Sequence, residues 1–271
     1  MTHSPAGIRA LLAEHGLEPS RALGQNFVAD ANTVRRIARL AAVGPGDQVV
    51  EIGAGLGSLT LALVETGASV TALEVDRHLL PVLRSVVEPA GATVVEGDAM
   101  HLDWPGLLGP GPGPWALVAN LPYNIATPLV LDLLAGVPQV ERMLVMVQLE
   151  VGERLAAGPG SKAYGIPSVK AAWWADARVV GKVPPSVFVP PPRVESALVQ
   201  VVRRSPAGDE AERAAVFALV EAGFGQRRKM LRRSLADRVS AGAFEVAGVR
   251  PEARAEELVL ADWQRLAAAA G

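Results

Sequence analysis

The chain has 271 residues, 50% of them hydrophobic, and carries 26 basic against 28 acidic side chains. That is enough to bury a large core, as one large domain or as one with a smaller companion. No cysteine occurs, which excludes disulfides, zinc–thiolate sites and cysteine nucleophiles, and His3, His15, His78 and His101 show no metal-ligand spacing, so no metal is expected.

In chain order, Thr2 to His15 reads as a short helix, and RALGQNFVAD leads into a second helix, Ala31 to Ala42, with Asp30 as N-cap. From Gln48 onward strand and helix signals alternate: strand 48–53, helix 58–66, strand 69–74, helix 77–87, strand 92–96. GPGPGP at 109–114 reads as a surface turn. Strand 115–119 runs into NLPY, a helix follows from Thr127 to Leu134, and ERMLVMVQLE makes a further strand. This alternation predicts a Rossmann-like α/β fold, a parallel sheet with helices on both faces and a ligand crevice at the carboxyl ends of the strands. Val179 to Pro192 is proline-rich and must be extended and stiff, and 196–203 is one more strand. Beyond Arg204 the pattern is helical. A boundary near Ser205 to Asp209 predicts domains at 1–205 and 206–271, the second small and helical. No run of 18 apolar residues and no charged-then-apolar leader occurs, so the expected setting is cytoplasmic, with no membrane partner.

Four strand ends carry the chemistry. VVEIGAGLG brings Gly53, Gly55 and Gly57 to the end of the first strand, where glycines let the backbone turn tightly and approach a ligand. The spacing G-x-G-x-G is not the dinucleotide fingerprint. It resembles the cofactor loop of S-adenosylmethionine-dependent methyltransferases. ASVTALEVD ends in Glu74, placed to take two ribose hydroxyls, with Asp76 read as the N-cap of the next helix. VVEGDAM ends in Asp98, positioned to accept from the adenine amine of the cofactor, and His101 reads as a solvated loop residue. NLPY presents the Asn120 amide oxygen, the Leu121 carbonyl and the Tyr123 ring, which suit a planar base with an exocyclic amine. With both amine hydrogens held by acceptors, the nitrogen lone pair is free to attack a methyl group. Phe188, inside VPPSVFVPPP, has two readings: a wall-packing residue, or an aromatic lid opposite Tyr123.

Net charge is −2, yet the charges are uneven. Between Gln226 and Arg238 stand Arg227, Arg228, Lys229, Arg232, Arg233 and Arg238 against the single acid Asp237, with Phe224, Met230, Leu231 and Leu235 interleaved. On a helix these give a basic face backed by an apolar stripe, which favours an anionic partner.

Taken in order, GQNF, EIGAGLG, LEVD, GDAM, NLPYNI, SKAYG, VPPSVFVPPPRVES and FGQRRKMLR resemble the small-subunit ribosomal RNA adenine dimethyltransferases of the KsgA type across almost the whole chain. The resemblance implies S-adenosylmethionine as cofactor and transfer of two methyl groups to N6 of each of two adjacent adenines in a terminal hairpin of small-subunit rRNA. It also implies a monomer acting on a pre-ribosomal small subunit late in maturation. Carried over by motif, Asn26, Val28, Gly53, Glu74, Asp98 and Asn120 form the cofactor site. Asn120, Leu121, Tyr123 and Phe188, the last as lid, form the target-base site. Val28 stands where the family usually has Leu, Ala54 where Pro is common, and Met230 where Thr is usual. The alternatives are a large-subunit rRNA adenine methyltransferase of the antibiotic-resistance type, a DNA adenine methyltransferase lacking an evident recognition domain, or a non-catalytic ribosome assembly factor.

Overall fold

A computed structural model describes residues 3–110 and 113–271. Thr2, expected in the first helix, and Gly111 and Pro112, expected in a surface turn, lie outside the described residues. The chain divides into two compact units, the first formed by Met1–Gly152 and Arg178–Arg203, the second by Glu153–Ala177 and Arg204–Gly271.

The first unit opens with α1 (Pro5–Glu14), β1 (Phe27–Val28) and α2 (Ala31–Ala41). It continues through β2 (Gln48–Ile52), α3 (Ser58–Val64), β3 (Ser69–Glu74), α4 (Leu80–Val87), β4 (Thr93–Glu96), α5 (Trp104–Leu108), β5 (Trp115–Asn120), α6 (Ala126–Gly136) and β6 (Val140–Gln148). The chain leaves it along α7 (Leu149–Ala156), passes α8 (Ile166–Ala171) in the second unit, and returns along β7 (Ala175–Val183) to β8 (Phe188–Val189) and β9 (Ser196–Arg203). Seven strands form one sheet in the order β4-β3-β2-β5-β6-β9-β7, and β1 and β8 form a separate antiparallel pair. β4 through β6 run parallel and β9 runs antiparallel to β6. The expected α/β class therefore holds, with β9 reversed against β6. The central strands are apolar runs, Val49 and Val50 on β2 and Leu117 and Val118 on β5, because a sheet covered by helices on both faces leaves them no solvent side. The helices turn apolar stripes to it. On α2 these are Val34, Ile37, Ala38 and Ala41, and Asp30 caps the helix by accepting from the Thr33 N–H at 2.7 Å.

β7 has no counterpart among the expected strands. It closes one end of the sheet, is largely exposed and carries Arg178 and Lys182, as edge strands commonly do. The Arg36 guanidinium donates to the Lys182 carbonyl at 3.0 Å and lies across Gly181, where any Cβ would collide with it.

The second unit contains α8, α9 (Glu210–Gly225), α10 (Leu231–Ser234), α11 (Ala241–Ala247) and α12 (Leu260–Ala270). Its inclusion of Glu153–Ala177 departs from the single boundary expected near residue 205. The reason is aromatic packing. Trp173 and Trp174 meet Phe217 edge-on at 5.8 and 5.6 Å, and Tyr164 meets Phe224 at 5.9 Å while donating its hydroxyl to the Leu258 carbonyl. Tyr164 of SKAYG is thus a packing residue of this unit.

The expected helical basic face at 226–238 is also corrected. α9 stops at Gly225, and within 226–238 only Leu231–Ser234 is α-helical. The N–H groups of Leu231 and Arg232 donate instead to the carbonyls of Ala253 and Pro251 at 2.8 and 3.0 Å, so tertiary contacts take over bonds that a longer helix would need. Leu231 and Leu235 are buried, while Met230 is exposed. Among the described residues no helix is long and apolar enough to cross a membrane.

Candidate active site

Strand register brings the expected residues together. β2 pairs Ile52 with Leu73 of β3 and with Ala119 of β5, and β3 pairs Glu74 with Glu96 of β4. Gly53, Glu74 and Asn120 therefore emerge from the sheet side by side. Gly53, Gly55 and Gly57 adopt φ of +71°, +59° and +82°, which side chains disfavour. A Cβ at Gly55 would lie 3.0 Å from the Phe27 ring, and one at Gly57 would overlap Val87. The loop is thus packed too tightly for larger residues at these positions.

Asn26, Val28, Gly53, Glu74 and Asn120 line one cleft, together with Phe27, Leu59 and Glu51. Glu74 is buried, and its carboxylate accepts from the backbone N–H of Gly55 at 2.7 Å, of Val75 at 3.0 Å and of Asp76 at 2.9 Å. Burial raises its pKa, and the three amides oppose that rise. Glu51 is fully buried and accepts from Thr60 Oγ1 at 2.6 Å, and burial pushes its pKa to about 8. No lysine or arginine among the described residues lines the cleft. Acidic and amide oxygens between apolar walls, with no fixed cation to repel it, fit a positively charged nucleoside such as S-adenosylmethionine.

The raised Glu51 pKa has a measurable consequence. The unfolded chain releases this proton near 4.5 and the folded chain only near 8, so the stability it lends is complete below pH 4.5 and is lost as pH rises through 8. Glu51→Gln cannot ionise. Its melting temperature relative to the parent should increase steadily between those two pH values and level off above. Calorimetric melting across pH checks this, and a difference independent of pH would contradict it.

Asn120 donates its amide Nδ2 to the Asn26 carbonyl at 2.9 Å. That bond assigns the amide nitrogen inward, and Oδ1 accepts from no described group. The Leu121 side chain is buried and its N–H donates to the Met146 carbonyl at 3.0 Å, while its own carbonyl likewise has no described donor. Two adjacent acceptors are thus open. Tyr123 is half-buried. Its hydroxyl is 2.8 Å from the buried Ser196 Oγ, and burial raises its pKa.

Leu121, Tyr123, Phe188 and Asp98 do not line the cleft. Phe188 differs from the lid reading. It is 3% exposed and packs in the core with Val28 and Val187, because β8 pairs Phe188 against Val28 of β1. As folded, it is a wall residue. Asp98 lies two positions beyond Glu96, and its pKa is lowered, first by the Met100 N–H at 2.9 Å and then by His101 Nδ1 at 2.9 Å. His101 is exposed, as expected for a loop residue. Glu51 and Gln25 line the cleft without having been singled out as ligands. The acid preceding the glycine loop was the available signal for Glu51. For Gln25 nothing local offered one, since its partner lies 51 residues away.

In the second unit the basic residues fall into two groups. Arg227 donates to Glu256 at 2.7 Å and to the Lys162 carbonyl at 2.9 Å, and Arg232 lies 3.4 Å from Glu252. Arg228, Lys229 and Arg233 are exposed and in no ion pair among the described residues. Arg227, Arg228 and Lys229 border an open concavity with Phe224.

The family model for ribosomal RNA adenine dimethylase matches residues 18–270. The chain is 52% identical over 275 residues to ribosomal RNA small subunit methyltransferase A of Streptomyces coelicolor, covering 97% of this chain and 95% of that one. It is 52% identical over 276 residues to the protein of the same name from Leifsonia xyli, covering 97% of each. Among solved structures it is similar to the 23S rRNA methyltransferase ErmE, with TM-score 0.69 and 28% identity over 90% of this chain and 99% of that one. A dimethyladenosine transferase from Plasmodium falciparum shares the fold, with TM-score 0.74 and 22% identity over 88% of this chain and 94% of that one.

Proposed function

The chain belongs to the ribosomal RNA adenine dimethylase family, and from that premise we propose that it transfers methyl groups from S-adenosylmethionine to N6 of two adjacent adenines in the terminal hairpin of small-subunit rRNA. The observation that carries this reading is the pair of open acceptors, Asn120 Oδ1 and the Leu121 carbonyl, beside a cleft suited to a cationic nucleoside. It acts as a cytoplasmic monomer on a pre-ribosomal small subunit.

S-adenosylmethionine supplies an activated methyl group on a sulfonium, so the protein's task is positioning more than acid–base chemistry. Glu74 would hold the ribose hydroxyls with the lone pairs that its three amides leave free. Asp98, which does not itself line the cleft, would accept from the cofactor's adenine amine, and Asn26, Val28 and Gly53 would wall the bound cofactor. Asn120 Oδ1 and the Leu121 carbonyl each accept one hydrogen of the target amine. This orients its lone pair and stabilises the positive charge that develops on nitrogen. No histidine among the described residues lines the cleft, and the proton leaves to solvent. Extruding the adenine costs on the order of a few kcal/mol. The face of Tyr123, steadied by Ser196, returns about 1–3 kcal/mol by stacking.

The second unit binds RNA phosphates through Arg228, Lys229 and Arg233, with smaller shares from Arg227 and Arg232, which neighbouring acids already hold. Replacing Arg228, Lys229 and Arg233 with glutamine should flatten the log–log salt dependence of RNA binding by about 0.7–0.9 for each phosphate that is no longer neutralised. An unchanged slope would remove this surface from the reading.

A second reading, methylation of large-subunit rRNA, is favoured by the likeness to ErmE. Labelled-methyl incorporation into isolated small and large subunits separates the two. Label confined to small subunits is expected, and label confined to large subunits would replace the first reading with the second. Binding without transfer would leave an assembly factor.

A further inference from the structure

Residues 23–28 line one side of the cleft, and the Gln25 side chain ties this stretch to the end of β3. Gln25 N donates to the Ser20 carbonyl at 3.1 Å, and Gln25 Oε1 accepts from Ser20 N at 2.8 Å, closing residues 20–25 into a rigid loop. Gln25 Nε2 then donates to Asp76 Oδ2 at 2.8 Å. Asp76 lies two residues past Glu74, to which its backbone N–H donates at 2.9 Å. The next residue in the stretch, Asn26, offers its carbonyl to Asn120 Nδ2 at 2.9 Å. Its own side chain donates to the Gly24 carbonyl at 3.0 Å.

These hydrogen bonds form one path from the end of β3 to the end of β5. The anchor at Gln25 fixes the adjacent peptide, whose carbonyl decides which end of the Asn120 amide points inward. An amide rotated by half a turn would present N–H groups to the target amine and could not accept its hydrogens.

We propose that Gln25 is a positioning residue for methyl transfer: through Asp76 it holds the Asn26 carbonyl where the Asn120 amide must present its oxygen to the substrate. Asp76, whose other oxygen accepts from the His78 N–H at 3.0 Å, serves as anchor as well as turn former. This assignment rests on Asn120 being the acceptor of the target amine.

The test uses the full chain with isolated small subunits. Gln25→Ala should lower kcat by about 10-fold or more, since misplacement by about an ångström can cost up to 10²-fold. Affinity for S-adenosylhomocysteine, by calorimetry, should stay within about threefold, because the hydrogen bond removed is not to the cofactor. Gln25→Glu sets two carboxylates against each other and should lose comparable turnover. Adding Asp76→Asn to Gln25→Glu restores a hydrogen bond with donor and acceptor exchanged, and should recover most of kcat even if the single variants are less stable. Wild-type kcat in Gln25→Ala, a proportional loss of cofactor affinity, or no recovery in the double variant would each overturn the proposal. Full turnover in Asn120→Ala would instead overturn the underlying reading, so the two failures are distinguishable.

Discussion

Asn120→Ala is expected to lower turnover by about 10²–10³-fold, the range for losing one preorganised group that stabilises developing charge. Affinity for the methyl donor should change by only about a few-fold. Asn120 contributes one of many groups to the cleft, but its amide oxygen is one of the two adjacent acceptors proposed to hold the target amine. The Leu121 carbonyl remains in the variant, so a fraction of the orientation survives, whereas the second amine hydrogen is left unheld. Asn120→Asp would keep an oxygen in place but turn a carboxylate toward the Asn26 carbonyl, setting acceptor against acceptor, so it should restore little. Single-turnover kinetics with small subunits, alongside calorimetric titration of the donor, separates chemistry from binding. Wild-type turnover in Asn120→Ala would remove the residue from the mechanism.

Glu74→Ala should have the opposite signature, weakening donor affinity by about 100-fold, equivalent to about 2.8 kcal/mol. The carboxylate shapes the cleft as well as facing it. Its oxygens terminate the N–H groups of Gly55, Val75 and Asp76, so alanine leaves three amides without their acceptor and loosens the glycine loop. Glu74→Gln should rescue poorly. Every protein partner of this side chain is a donor, and glutamine would turn its own N–H groups against one of them. A lowered melting temperature should therefore accompany the loss of affinity in both variants. Equal donor affinity in Glu74→Ala, measured by calorimetry, would show that the ribose is held elsewhere.

Much of this site was legible because its parts are strand ends. Apolar runs located β2, β3 and β5, and the residues that punctuate them, Gly53, Glu74 and Asn120, had to lie at the same edge of a parallel sheet. What escaped depended on contacts between distant residues. β7 lacks an alternating pattern because it is an edge strand with charged residues and a glycine shaped to receive Arg36. The basic segment at 226–238 has helical composition, yet Ala253 and Pro251 draw off its backbone N–H groups. Trp173 and Trp174 lie in sequence within the stretch assigned to the first domain, and only the position of Phe217 shows which core they join. Phe188 had two readings that local sequence left equal, and its pairing opposite Val28 favours the wall. The Gln25–Asp76 bond was invisible for the same reason: each residue has a sufficient local role, and their meeting is a property of the fold.

The most direct measurement of the central spatial claim is a crystal structure of this chain with the methyl donor bound. The expected result is the donor's ribose on Glu74 and its methyl carbon facing the amide oxygen of Asn120, with space between them for the amine of an extruded purine. A methyl group directed away from that oxygen, or separated from it by packed side chains, would contradict the claim.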